Sequence, residues 1–130
     1  MIRNTRQRQA IQSLFDKTNN PLSVEDVRAG AEREVNGIGI ATVYRNIKSL
    51  LEEGVLTTVD LPGEPPRYEL AGKGHHHHFQ CTRCSRVYDM KACLNGLKKM
   101  LLPGFRMTNH DVILYGECAK CRRQSNHHRS

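Results

Sequence analysis

Apolar residues recur at helical spacing three times before position 54. Ile11, Leu14 and Phe15 form one stripe, Val24, Val27 and Ala31 a second, and Ile40, Val43, Ile47, Leu50 and Leu51 a third. Each stripe predicts an amphipathic helix, and the residues between them supply the punctuation. Asn4 or Thr5 can cap the first helix, and Asn19-Asn20-Pro21 ends it. Ser23 with Asp26 three residues later makes a capping box for the second. Gly37 and Gly39 then break the chain, and Gly54 stops the third helix. The period changes after that glycine. Residues 55–60 and 67–70 read as two strands around Leu61-Pro62-Gly63-Glu64-Pro65-Pro66. Ala71-Gly72-Lys73-Gly74 is a short flexible joint. Beyond it, 75–80 should be extended and 86–89 a strand. Leu94, Leu97 and Leu101 predict a helix over about 90–102, ended by Pro103-Gly104. Residues 105–115 read as a strand or two, with Val112 and Leu114 on one face and Ile113 and Tyr115 on the other. The polar stretch 124–130 reads as a flexible tail.

Three helices followed by a hairpin is the winged-helix order, in which the third helix enters the major groove of DNA. The outer face of that helix shows Thr42, Arg45, Asn46 and Ser49. Periodicity alone leaves open whether this face reads bases or is simply solvated. The second half, a small sheet with one helix, lacks the core to stand alone, so a metal and a partner subunit are the natural supplements. The expected class is α+β: a winged-helix domain over 1–71, a hinge at 72–74, and a small α/β domain over 75–123. Charge agrees with a polyanionic partner. The 130 residues hold 20 Lys and Arg against 13 Asp and Glu, a formal +7. Trp is absent, which argues against a stacking platform for single strands.

The chemistry lies in the second half. Cys81-Thr82-Arg83-Cys84 and Cys118-Ala119-Lys120-Cys121 are two Cys-x-x-Cys pairs, a spacing that turns four sulfurs toward one tetrahedral zinc. Disulfides or a redox pair could use the same letters. The first ten residues, however, are polar and basic, and no apolar run is long enough to span a bilayer. A reducing cytoplasm and a structural zinc are therefore expected. His75-His76-His77-His78 precedes the first pair. On a strand, His76 and His78 point one way and His75 and His77 the other, so one run offers two imidazole pairs to two sites. Neutral imidazole suits zinc, iron, manganese, nickel or copper. No nucleophile with base and orienter is evident, so neither an enzyme nor a small-molecule substrate is expected.

From about Thr5 to Cys121 the chain resembles the ferric uptake regulator superfamily, whose members sense zinc, iron, manganese, nickel or peroxide. The resemblance rests on Ala41-Thr42-Val43-Tyr44-Arg45-Asn46, the His75–Cys81 segment, both Cys-x-x-Cys pairs, and Asn109-His110 ahead of Tyr115-Gly116. It implies a homodimeric, metal-dependent repressor of double-stranded operator DNA. In that architecture a winged helix is hinged to a dimerisation domain, and metal at the joint sets the angle between the DNA-binding domains. It further implies Cys81, Cys84, Cys118 and Cys121 as structural zinc ligands. DNA contacts fall to Thr42, Tyr44, Arg45 and Asn46, with Tyr44 and Arg45 matching positions that meet bases and phosphates. Glu69, His76, His78 and Asp89 match an inter-domain sensor site. His75, His77 and His110 match a second site within the dimerisation domain, where Cys93 stands in place of the usual helical carboxylate.

This chain departs from the family pattern in three places. The sensor histidine expected just before the second helix is missing, because Asn20 and Pro21 occupy that region. Cys93 would make the second site softer and favour zinc, or is a small core hydrophobe. Zinc sensors often carry a cysteine just before the His run, where Ala71 and Gly72 stand here. Asp89 in place of glutamate is similar to the peroxide-sensing branch, whereas the full His run and Cys93 favour zinc. The sensed metal is thus expected to be zinc, with iron, including an iron-based peroxide sensor, as the alternative and manganese as a further candidate ion. Outside this class, a zinc-ribbon interaction protein without metal sensing would share all four cysteines.

Overall fold

A computed structural model describes residues 5–91 and 96–127. The chain forms two compact units, Met1–Lys73 and Gly74–Ser130.

The N-terminal unit contains α1 (Thr5–Lys17), α2 (Val24–Ala31), α3 (Ile40–Glu52), β1 (Leu56–Val59) and β2 (Arg67–Leu70). The three apolar stripes converge. Ile11, Phe15, Val27, Ala31, Val43, Ile47 and Leu50 form one core with Leu56 and Tyr68 from the hairpin. Both halves of the capping box at α2 are made: Asp26 N–H donates to Ser23 Oγ and Ser23 N–H to the Asp26 carboxylate, each at 3.1 Å. Helix α3 stops in a Schellman arrangement. Gly54, at φ 77°, donates to Leu51 O at 3.1 Å, and Val55 N–H reaches Leu50 O at 2.9 Å. The next residues are thereby turned directly into β1. β1 and β2 pair antiparallel, with Leu56 opposite Leu70 and Val59 opposite Arg67. Leu22 bridges to Tyr68, so the loop before α2 runs against the hairpin.

The C-terminal unit contains β3 (His77–Cys81), β4 (Val87–Met90), a 3-10 turn (Leu97–Met100), β5 (Ile113–Gly116) and α4 (Ala119–His127). Its sheet has the order β4-β3-β5. β4 runs antiparallel to β3, with His78 opposite Asp89, and β5 runs parallel to it, with Phe79 opposite Leu114. Gly116 leaves room for Phe79, since a Cβ there would stand 3.3 Å from its ring.

Three expectations need correction in this unit. The predicted helix over 90–102 is only the single turn Leu97–Met100 among the described residues, with Met90 in β4. Gly96, at φ 86°, turns left-handed just before that turn, a conformation no helix interior can hold. Leu94 lies outside the described residues, as does the proposed cap Asn4. The strand expected within 105–115 is confined to Ile113–Gly116. The tail expected from 124 does not begin there, because α4 runs on to His127. The second cysteine pair starts that helix: Arg122 N–H donates to Cys118 O at 2.9 Å, so the turn that gathers the sulfurs is also its first turn.

Candidate metal centres and nucleic-acid interface

Cys81 ends β3, and the chain reverses within four residues. Ser85 N–H donates to Cys81 O, and Cys81 N–H to Arg86 O, both at 2.9 Å. Ser85 takes φ 66° to close the turn, the one positive value at a non-glycine among the described residues. Cys118 and Cys121 arrive from the start of α4. All four sulfurs lie within 4.8 Å of one another, with Cys84 Sγ 3.8 Å from Cys118 Sγ and no disulfide formed among them. Backbone amides point at the sulfurs: Cys84 N–H and Cys118 N–H donate to Cys81 Sγ at 3.4 and 3.3 Å, and Cys121 N–H donates to Cys118 Sγ at 3.5 Å. Arg83 braces the two knuckles by donating to Glu117 at 3.1 Å and to Cys121 O at 3.3 Å.

The amides favour thiolate. Led by the Cys84 amide, they lower the Cys81 thiol to about 6. The Cys121 amide, with the Tyr88 hydroxyl, lowers Cys118 as well. Burial, reinforced by the neighbouring sulfurs, pushes Cys121 up to about 12. Four thiols this close cannot all ionise without a cation between them. The donor set, its closeness and its amide support fit a structural zinc in a closed four-cysteine site.

Strand alternation divides the His run as predicted. His75, His77 and His110 share one face, with His75 Nε2 3.0 Å from His110 Nε2 and all three donor atoms within 4.8 Å. His77 is buried. Val112 N–H donates to its Nδ1 at 3.1 Å, leaving a buried Nε2 with no hydrogen-bond partner. Burial, then the adjacent His75 and His110, lower the affinity of His77 for a second proton. A neutral ring is what a metal requires. Because Nδ1 accepts the amide, the neutral ring carries its proton on Nε2, so ligation there requires that proton to leave or to move. Cys93 lies outside the described residues.

The opposite face carries His76, His78 and Asp89. His78 Nε2 is 3.3 Å and His76 Nε2 3.9 Å from Asp89 Oδ1. His76 Nδ1 is 2.9 Å from Gly74 O. A carbonyl can only accept, so the proton sits on Nδ1 and Nε2 presents its lone pair toward the carboxylate side. Glu69 belongs to β2 of the N-terminal unit, where Lys73 Nζ is 3.4 Å from its Oε1.

On α3, Tyr44 is 54% exposed and Arg45 also faces solvent, its guanidinium donating to Thr42 Oγ1 at 3.1 Å. Asn46 is not on this face. It is 2% exposed, and its amide donates back to Thr42 O at 2.9 Å while Oδ1 has no partner. Position 46 follows Val43 by three residues and so shares the inner stripe. Its polar identity concealed that placement. Lys48, four residues after Tyr44, is exposed and extends the outward row, a position that spacing from Tyr44 would have found. Among the described residues, no helix is long and apolar enough to cross a membrane.

Known proteins match this arrangement. A model of the ferric uptake regulator family matches residues 1–115. The ferric uptake regulation protein of Campylobacter jejuni is 35% identical over 97 residues, covering 72% of this chain and 61% of that protein. The chain thus spans about three-fifths of the length of that relative. Among solved structures, a zinc-bound manganese uptake regulator superposes with TM-score 0.78 at 26% identity, over 90% of this chain and 91% of that one. The ferric uptake regulator of Francisella tularensis with iron gives 0.70 at 28% identity, over 93% and 95%.

Proposed function

The chain belongs to the ferric uptake regulator family, and from that premise we propose that it is a homodimeric repressor whose binding to double-stranded operator DNA depends on a divalent metal. The observation that carries this reading is the division of the His run, which offers imidazole donors to two separate positions beside a closed cluster of four cysteines. A structural zinc alone would need neither set. Tyr44, Arg45 and Thr42 meet DNA, with Lys48 adding phosphate charge. Asn46 supports the helix from inside.

The regulatory metal is held by His76, His78 and Asp89 with Glu69 from the wing strand, as the family resemblance implies. Metal there ties the wing to the dimerisation domain, and it regulates only through its higher affinity for the DNA-competent arrangement. His75, His77 and His110 form a second position that steadies the dimerisation domain. Zinc is favoured as the sensed ion because the full His run supplies imidazole nitrogens to both sets. Iron is the competing reading, favoured by the Asp89 oxygen. The solved structures named above, one zinc-bound and one with iron, fit either.

The test is operator binding by the purified dimer, titrated separately with zinc, iron(II) and manganese(II), alongside metal analysis. Zinc should raise affinity at the lowest free concentration, by about 5- to 150-fold. Operator affinity that ignores every added metal would overturn metal sensing, and absence of any specific operator binding would leave a zinc-ribbon interaction protein.

A further inference from the structure

Lys73 is the last residue of the N-terminal unit, and no hydrophobic pattern or motif gives it a task. Its ammonium donates to the Asn19 carbonyl oxygen at 2.5 Å and lies 3.4 Å from Glu69 Oε1. Asn19 opens the stretch ahead of α2 where a further sensor histidine is missing. Glu69 has a side chain only 3% exposed, and that of Lys73 is 19% exposed. A carboxylate so shielded from water requires a compensating cation.

The surroundings hold this contact in place. Leu22 and Tyr68 exchange backbone hydrogen bonds at 2.8 and 2.9 Å, fixing the loop beside the strand that carries Glu69. Asn20 N–H donates to Thr18 Oγ1 at 3.2 Å, which tightens the same loop. Gly72 and Gly74, at φ 81° and 78°, flank the lysine with left-handed turns that most other residues would resist. Together they direct Lys73 back over its own unit.

We propose that Lys73 is a built-in counter-cation for Glu69, set beside the loop that lacks the histidine, and that it tunes which metal can recruit this carboxylate. The proposal rests on the reading of Glu69 as a ligand of the regulatory metal. An ammonium and a divalent ion repel each other at ion-pair distance from one carboxylate, so a metal gains Glu69 only by displacing Lys73. Ions that depend most on oxygen donors, manganese(II) and iron(II), lose most by this competition. Zinc, satisfied by imidazoles, loses least. The lysine therefore acts as a specificity-determining residue that biases the site toward zinc.

The experiment uses the full-length protein with its cysteine-bound zinc intact. Manganese(II) and zinc affinities are measured by competition with a chelator for wild type, Lys73→Met, Lys73→Gln, Lys73→Arg and Glu69→Gln. Lys73→Met and Lys73→Gln should bind manganese more tightly, on the order of tenfold, with a smaller gain for zinc. Lys73→Arg should behave as wild type. The gain should vanish when Glu69→Gln is added to Lys73→Met, and the melting temperature of Lys73→Met without added metal should fall. Lys73→Gln keeps a donor for the Asn19 carbonyl and so guards against a folding defect. If neither lysine variant changes manganese affinity while Glu69→Gln weakens it, the counter-cation idea fails and the ligand reading stands. If Glu69→Gln changes nothing either, Glu69 is no ligand and both fail.

Discussion

Arg45 and Asn46 are neighbours on one helix with opposite surroundings, and the difference shows how little residue type reveals without placement. Arg45 faces water, its guanidinium donating to Thr42 Oγ1, so Arg45→Ala should change stability by no more than about 0.5 kcal/mol, as for a surface change. Operator affinity should fall with it, and the salt dependence of binding should become shallower by about one counterion. A filter-binding salt series reads both. Asn46→Ala should do the reverse. It opens a cavity in the core and removes the bond to Thr42 O, a loss of about 1–3 kcal/mol. Thermal melting should therefore drop by several degrees, and any DNA defect should track unfolding. Asn46→Leu distinguishes the causes, since filling the space without an unpartnered Oδ1 should restore much of the stability. The buried position was legible in the spacing from Val43. It was obscured because asparagine is mostly an exposed residue.

Elements carry the next level of consequence. Helix α1 is joined at the surface to the C-cap of α3 by a two-pronged pair, with Arg8 Nη1 and Nη2 each 2.7 Å from a Glu53 oxygen. The Arg8 guanidinium, aided by the Ser49 hydroxyl, holds the Glu53 carboxyl down to about 2. A carboxyl lowered in the folded state supports folding above its ordinary range near 4 and loses that support as pH falls toward 2. Glu53→Gln should hence flatten the acid limb of the stability curve, and the gap from wild type should narrow with salt. Urea unfolding across pH 2 to 6, roughly that window, measures it. Strand β3 gives the sharper case. His77→Ala removes an imidazole from the His75 and His110 side, and His78→Ala one from the Asp89 side. His78→Ala should leave a folded, zinc-bound dimer whose operator affinity no longer rises with added metal. His77→Ala should weaken dimer stability and keep part of the switch. Equal defects in paired metal and operator titrations would mean the two faces act as one site.

For the whole molecule, the four-cysteine cluster decides whether the second unit exists. Among the described residues, Cys81, Cys118 and Cys121 pack with Phe79 and Tyr88 into a small buried cluster there, against the much larger one of the first unit. Structural zinc binding is then folding free energy. Cys118→Ser should lose the zinc, the dimer and operator binding together, while the N-terminal helices keep their circular dichroism. A stable dimer without that zinc would contradict the role. The sequence by itself determined the winged-helix unit, because periods of 3.6 and 2 with caps and glycines at their ends are local, and local rules suffice where each element carries its own stripe. It determined both cysteine pairs and the two faces of the His run for the same reason, since spacing and strand alternation fix which donors can share an ion. Only the tertiary structure decided that α4 grows out of a cysteine knuckle tied to Cys81, and that the 90–102 stripe yields one turn among the described residues. It alone brought Lys73 to Glu69 and Asn19. Each of these depends on contacts between residues distant in the chain or on a left-handed turn, and neither leaves a periodic trace in the order of amino acids.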